Sequence, residues 1–437
     1  MMPSPTFEYG IDTIALALMI VLLAGLMAMI VSRKTKFPYT PLLILFGILV
    51  GPILHLILPQ TARIMFYYLR AFGLFIIMFA AGFEIHLHLL KKHRLTIALL
   101  DTLGLLITAL VAGWFFQIVF HVPWSVGFLF GAIVSGTDPA TLVPLFKEHK
   151  VDKDMETIII TESIFNGPLA IILTFVAFVF VMPEIPALED LARFTPSASV
   201  YALAVVYFVY QIFASAVIGG IIAYLAYKAF DRFNIHKTPH SLILGLSLAF
   251  GGYVIGEAIS ASGFLVVTII AIVLGNHEGL FHRKNRDVSE AVKSNAEFSD
   301  ILSTLSIILV FVFLGASLST SAAHLDSILY GTLVALFVVF VARPLATLVI
   351  LPKTGVRKYL FIAFEGPKGA VAASMATLPI AIGALYNDAN LIYWGEIILT
   401  STLMTVFLSM ILESAWMPFL KRKLLDKGSA SADASTE

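Results

Sequence analysis

The sequence predicts an all-α polytopic membrane protein of about 13 transmembrane helices, built as inverted repeats with two broken helices meeting at the midplane. Three observations carry this prediction. Of 437 residues, 59% are hydrophobic and 13% charged, with a mean hydropathy of +0.94. The apolar residues gather into thirteen runs, and the basic residues alternate from one set of connections to the other. A soluble chain carries about 25% charged residues, so this composition belongs in a bilayer. The formal net charge of +0 gives no reason to expect nucleic acid or an acidic macromolecular partner. With no cysteine, disulfides, thiolate metal sites and haem attachment are excluded. The first eleven residues hold neither a basic region nor a small-residue cleavage site, so the first run reads as a retained helix.

The runs lie at roughly 11–31, 40–58, 64–83, 95–119, 124–146, 156–182, 199–230, 239–258, 261–275, 299–317, 328–351, 358–386 and 394–420. Connections after odd-numbered runs, with the tail, hold 23 of the 28 basic residues, beginning with Arg33, Lys34 and Lys36 and ending with Lys421, Arg422, Lys423 and Lys427. The opposite connections hold only Arg63 and Arg193. Positively charged loops stay in the cytoplasm, which places the N-terminus outside and the C-terminus inside a cell membrane. One miscounted run would destroy the alternation. The proline-rich, acidic stretch 183–198 reads as an external linker, and 421–437 as a disordered cytoplasmic tail.

Two runs contain turn chemistry near their middles: Gly136-Thr137-Asp138-Pro139 in the fifth and Glu365-Gly366-Pro367-Lys368-Gly369 in the twelfth. Proline has no N–H, so Pro139 frees the carbonyl of Ser135, and Pro367 frees that of Ala363. Irregular backbone at this depth is tolerated only inside protein or along a cavity. The breaks are seven runs apart, so the two helices run in opposite directions. That is the plan of inverted-repeat secondary transporters, with the substrate site where the broken helices meet. The expected division is one transmembrane domain, with repeat one at about 11–182, a linker helix at about 199–230 and repeat two at about 239–420.

The sixth run carries Glu162, Ser163 and Asn166 and is expected to break at Gly167-Pro168. A carboxylate at mid-membrane costs at least ~2.5 kcal/mol, so it needs a partner or a task. Glu162 and Asn166 are four apart and share a helix face, with Ser163 beside them. An acid, a hydroxyl, an amide and a carbonyl freed by Pro168 describe a cation site, or more simply a polar contact between helices. Asp138, before a proline, is also a natural helix cap, a role compatible with touching an ion. Lys368, the one lysine inside a run, needs a buried acid, with Glu162 the best candidate by depth and Glu365 its competitor. Asp138 and Glu162 together would hold either a transported monovalent cation or a proton, and that competition is exchange. Elsewhere, Glu257 is expected to tie the eighth and ninth runs together, and Arg70 to find an acid on a neighbouring helix. Arg343 and Asp101 should pair or reach for the interface.

These residues resemble the monovalent cation:proton antiporter family, of the sodium/proton exchanger type. The resemblance covers about residues 11–420 and rests on FPYTPLLILFGILVGP (37–52), AGFEIHL (81–87), GTDPATL (136–142), ESIFNG (162–167), GEAISASG (256–263), FLGASL (313–318), ARP (342–344) and GPKGAVAAS (366–374). It implies a cation and proton site made of Thr137, Asp138, Glu162, Ser163 and Asn166, with Lys368 as charge partner of the glutamate. It implies a homodimer, alternating access, no enzymatic activity and no cofactor beyond the transported Na⁺ or K⁺ and H⁺. The sequence departs from the family at Gly167, where the second acid of an Asn-Asp pair is expected. Exchange shared by Asp138 and Glu162 is the preferred expectation. The alternatives are an uncoupled cation channel and a transport-inactive member that senses cations or pH.

Overall fold

A computed structural model describes residues 11–35, 37–182, 200–233, 239–281, 286–318 and 325–426. The linker at 183–198 and the tail beyond Asp426 lie outside the described residues. All thirteen predicted runs are helical, and there is no strand among the described residues. In order they are α1 (Ile11–Thr35), α2 (Tyr39–Ile53), α3 (Pro59–Glu84), α4 (87–120), α5 in two halves (Trp124–Ser135 and Pro139–His149) and α6 (Lys153–Val181). Then follow α7 (Val200–Phe233), α8 (His240–Ala258), α9 (Gly263–Gly275), α10 (Arg286–Ala316) and α11 (325–350). The last two are α12, again in two halves (Leu351–Ala363 and Ala370–Tyr386), and α13 (Ala389–Leu420).

Helix starts follow from local chemistry. The Asp152 carboxylate accepts from Asp154 N ahead of α6, the Ser262 hydroxyl from Leu265 N ahead of α9, and Asp388 from Asn390 N and Leu391 N ahead of α13. Each side chain supplies an acceptor that the first turn lacks. Two boundaries differ from expectation. Helix α6 runs unbroken through Gly167-Pro168, because one missing N–H removes one rung while the turns on either side keep theirs. The end of α13 continues into a π-helical turn, Lys421–Asp426, so ordered structure passes the expected boundary at residue 420.

Burial ranks the helices. The apolar window of α6 is 78% buried, against 22% for α7 and 28% for α1, so α6 is central and the other two face outward. On α1, Ala17, Val21, Ala24 and Ala28 recur at helical spacing and are buried, while Leu16, Leu22, Leu23 and Leu26 are exposed. In lipid, helices gain from close van der Waals approach rather than from escaping water, so small residues mark the seams. Gly47 of α2 lies against the backbone of Val312 and Gly315 of α10, and Gly131 of α5 against the carbonyl of Ala109 of α4.

Features recur seven helices apart. The breaks of α5 and α12 are the first pair. Helices α4 and α11 each contain a π-helical turn, Leu100–Gly104 and Val338–Ala342, with Asp101 inside the first and Arg343 just after the second. In each half the helix after the break caps it: Asn166 Oδ1 of α6 accepts from Thr137 N (2.9 Å), and Ser409 Oγ of α13 accepts from Lys368 N (2.9 Å).

Candidate ion site at the crossing of the broken helices

The two breaks touch. Asp138 N donates to Pro367 O at 2.8 Å, so backbone that left the helical ladder in α5 is satisfied by backbone that left it in α12. The Asp138 side chain caps the second half of α5, taking the Thr141 hydroxyl at 3.1 Å. It also lies against Gly369 at the start of the second half of α12, where a β-carbon would run into the carboxyl group. The backbone N–H groups of Thr141 and Ala370 both point at it. Asp138 therefore sits at the positive ends of two half-helices, where an anion is stabilised without a cationic side chain.

Thr137, Ser163 and Asn166 surround the same break. Thr137 Oγ1 and Ser163 Oγ are 2.8 Å apart, and Asn166 Nδ2 donates to Thr137 Oγ1 at 2.8 Å. All four residues, with Asp138, are buried. The structure thus gathers Thr137, Ser163 and Asn166 into one hydrogen-bonded cluster, while the carboxyl group of the adjoining Asp138 meets Thr141 and Gly369.

Glu162 and Lys368 depart from expectation. Glu162 is gripped by Arg343 of α11, with Nη1 donating to Oε1 and Nη2 to Oε2 (2.8 Å), and Asn166 Nδ2 lies 3.4 Å from Oε1. Both of its oxygens are occupied, and its charge is cancelled by a planar guanidinium that fits a carboxylate in two-point fashion. Glu162 is not the partner of Lys368 and offers a cation little free charge. Lys368 Nζ instead donates to Ser135 O at 3.1 Å. Pro139 frees that carbonyl as expected, and the ammonium caps the negative end of the first half of α5. Depth and the family resemblance both suggested the Lys368–Glu162 pair; the bidentate fit of arginine is what decides against it.

Other expectations divide. Glu257 Oε1 accepts from Gly263 N at 2.9 Å and joins α8 to α9. Arg70 finds no acid among the described residues: it donates to Ser374 O at 3.0 Å and lies 5.3 Å over the Tyr67 ring. Asp101 and Arg343 do lie within electrostatic reach of each other, on the paired turns of α4 and α11. Sequence reasoning missed Glu413 of α13, which accepts from Gly366 N at 2.7 Å. The rule that singled out Glu162, an acid within a transmembrane run, would have found it. Gly167 faces Val371 Cγ2 and Met78, apolar groups, so no neighbouring acid replaces the one expected at that position.

A cavity of about 370 Å³, lined by Glu84, His86, Val143, Lys153, Glu156, Thr157, Ile160 and Thr161, opens at the end of the molecule that carries Lys153. It reaches Thr161, next to Glu162, giving water an approach to α6 from the basic side.

Paired broken helices around a buried carboxylate, in a polytopic bundle, define the class: a secondary transporter for a small cation. The chain belongs to the sodium/hydrogen exchanger transmembrane family, whose profile matches residues 18–423. It is 32% identical over 427 residues to Na⁺/H⁺ antiporter 1 of Methanocaldococcus jannaschii, covering 92% of this chain and 94% of that one. The structure of the sodium proton antiporter MjNhaP1 from the same organism at pH 8 aligns with a TM-score of 0.80, at 31% identity, over 94% of this chain and 98% of that one. A more distant relative, the K⁺/H⁺ antiporter NhaP of Alkalimonas amylolytica, is 27% identical over 86% of this chain and 62% of that protein.

Proposed function

We propose that this protein is an antiporter exchanging a monovalent cation, Na⁺ or K⁺, for protons by alternating access, and is not an enzyme. The observation that carries this is Asp138, buried at the crossing of α5 and α12 between two half-helix N-termini, in the break whose Thr137 is bonded to Ser163 and Asn166. A proton and a bare cation compete for the same carboxylate, so binding one ejects the other. Thr137, Ser163 and Asn166 supply neutral oxygens to the cation. Glu162, locked to Arg343, holds α6 to α11 and keeps Asn166 in position rather than carrying charge. Relatives named for Na⁺ and for K⁺ are both among the similar proteins, which is why both cations are retained here.

The same reading takes residues 11–182 and 239–420 as two inverted repeats joined through α7. It puts the N-terminus outside, the C-terminus in the cytoplasm and the cavity at Thr161 on the cytoplasmic side, and it takes a homodimer as the working unit in a cell membrane. The test is flux in proteoliposomes. Adding Na⁺ or K⁺ outside liposomes that hold the full chain should drive proton movement in the opposite direction. Asp138→Asn, which keeps shape and removes charge, should abolish it. Cation flux with no linked proton movement would turn the reading into an uncoupled channel, and no flux at all into a sensing role.

A further inference from the structure

The membrane core around the two breaks holds more acid than base. Among the described residues, Asp101, Asp138, Glu162, Glu365 and Glu413 are buried in this core, against Arg70, Arg343 and Lys368. Glu162 and Arg343 cancel, and Lys368 and Arg70 can offset at most two further carboxylates. The remaining carboxyl groups exceed the available positive charge, and net charge this deep in a bilayer is costly enough that protons or cations must neutralise it.

Glu365 is where the surplus is clearest. Its side chain is 0% exposed, and neither carboxyl oxygen has a hydrogen-bond partner among the described residues. The charged group acting on it is Glu413 of α13, another acid. Glu413 in turn faces Lys368 of α12, Arg343 of α11 and Glu162 of α6. An alkali cation needs several oxygens around it, whereas a proton needs one carboxyl oxygen, and the charged neighbour of Glu365 is itself an acid. A proton is the ligand that fits.

The setting gives that proton mechanical leverage. Ser409, Glu413 and Trp416 form one stripe of α13 at helical spacing, and all three hold the backbone of the α12 break. Ser409 Oγ takes Lys368 N, Glu413 Oε2 takes Gly366 N at 2.7 Å, and Trp416 Nε1 gives to Phe364 O at 2.9 Å. The same short segment supplies the Pro367 carbonyl to Asp138 N and the Gly369 backbone to the Asp138 carboxyl group. A change of charge between Glu365 and Glu413 therefore acts on the backbone that seats Asp138.

We propose that Glu365 and Glu413 form a proton-sharing carboxyl pair, a second proton site on the broken helix opposite Asp138, which takes up and releases a proton during exchange. Uptake forms an O–H bond on one carboxyl group. The protonated pair then shares one negative charge facing Lys368, and release sends that proton to water and leaves both carboxyl groups charged. The chain thus carries its second titrating acid on α12 and α13, while position 167 of α6 is glycine. This inference rests on the antiport reading for its role in transport, but not for the existence of the protonated pair.

The experiment has two arms. Infrared difference spectroscopy of the purified full chain in lipid reads the carboxylic C=O stretch without any need for transport. At neutral pH the wild-type chain should show a protonated-carboxyl band that Glu365→Gln removes and Asp138→Asn leaves in place. If Glu365→Gln removes no such band, Glu365 is ionised and the proposal is overturned. In proteoliposomes the pH dependence of exchange should lose about one proton-linked step in Glu365→Gln, with the cation still protecting the variant from thermal unfolding. A pH profile identical to wild type overturns the transport role. Glu365→Asp should restore the lost step, which a merely structural carboxyl group would not require. If Glu365→Gln does not fold, Glu413→Gln reads the same pair and should shift or abolish the same band; an unmoved band overturns the pairing. A wild-type chain that shows the band yet moves no ions would sink the antiport reading alone.

Discussion

The breaks in α5 and α12 are the same device used for opposite purposes. In α5 the loose backbone is held by uncharged groups: Asn166 takes Thr137 N, and Ser163 meets the Thr137 hydroxyl. Its one ionisable group, Asp138, is presented to two positive helix ends and a set of neutral oxygens. In α12 the loose backbone is held in part by a carboxyl group, with Glu413 on Gly366 N, and the segment carries Lys368 and an unpartnered Glu365. Each charge sits at the helix end of opposite sign, Asp138 at N-termini and Lys368 at the C-terminus that ends in Ser135. We propose that the difference is a division of labour, with the cation at the first break and the second setting the electrostatics and position of the first.

The strongest way to break this comparison is at the joint between the halves. Arg343 ties Glu162 of α6 to α11, and its guanidinium lies over Gly366 of the second break. Arg343→Leu strands Glu162 as an unpaired buried charge and should cost about 3–5 kcal/mol. Thermal melting of the variant in detergent should drop sharply. Adding Glu162→Gln should recover most of the loss, since the stranded charge is gone. If the double variant melts no higher than the single one, the pair is not what stabilises the joint.

Gly369→Ala is the next sharpest. The new methyl group would collide with the Asp138 carboxyl group, and overpacking of this kind costs roughly 1–3 kcal/mol. Because the collision is with the proposed cation ligand, exchange should fall far more than stability does. A variant with wild-type exchange would show that Asp138 does not work from this position.

The two capping residues then separate the roles. Asn166→Ala and Ser409→Ala each leave a buried backbone N–H without its acceptor, at a cost of about 1–3 kcal/mol apiece. Asn166→Ala also removes an oxygen from the proposed cation site, so its cation affinity should fall. Ser409→Ala should leave cation affinity near wild type while lowering the melting temperature. Equal losses of affinity in both, measured by cation-dependent thermal protection, would erase the proposed division.

Much of this was readable in the residues before any coordinates. Thirteen runs became thirteen helical segments because apolar length and charge alternation are one-dimensional constraints that a bilayer imposes directly. Pro139 and Pro367 marked both breaks, since a missing N–H is a local fact about sequence. Partner choice was another matter. That Glu162 meets Arg343 and not Lys368 depends on which helices are neighbours and on the planar match of guanidinium to carboxylate, neither of which spacing along the chain encodes. The break expected at Pro168 did not form for a related reason: inside a long buried helix, the turns on either side keep their own hydrogen bonds and the helix continues through the proline. Arg70 found a carbonyl and a tyrosine ring where an acid was expected, because a bundle offers more carbonyls than carboxylates.

The smallest predicted effect bears on the position where the chain departs from its family. Gly369 is glycine for want of space, whereas Gly167 is not so tightly constrained. A β-carbon at 167 would meet Val371 Cγ2 at 3.3 Å and Met78 Sδ at 3.6 Å, so Val371 need give only a few tenths of an ångström. Against that, alanine in a helix interior gains about 0.5–1 kcal/mol over glycine, leaving Gly167→Ala within about 1 kcal/mol of wild type. Exchange should be unchanged, because neither Val371 nor Met78 carries charge. Melting and flux measured side by side with Gly369→Ala decide the point. If Gly167→Ala silences exchange, glycine itself works at this position, and the second acid need not have moved to α12 and α13. If it is silent in both assays, position 167 lies outside the ion site, and any second titrating group must be sought on the other broken helix.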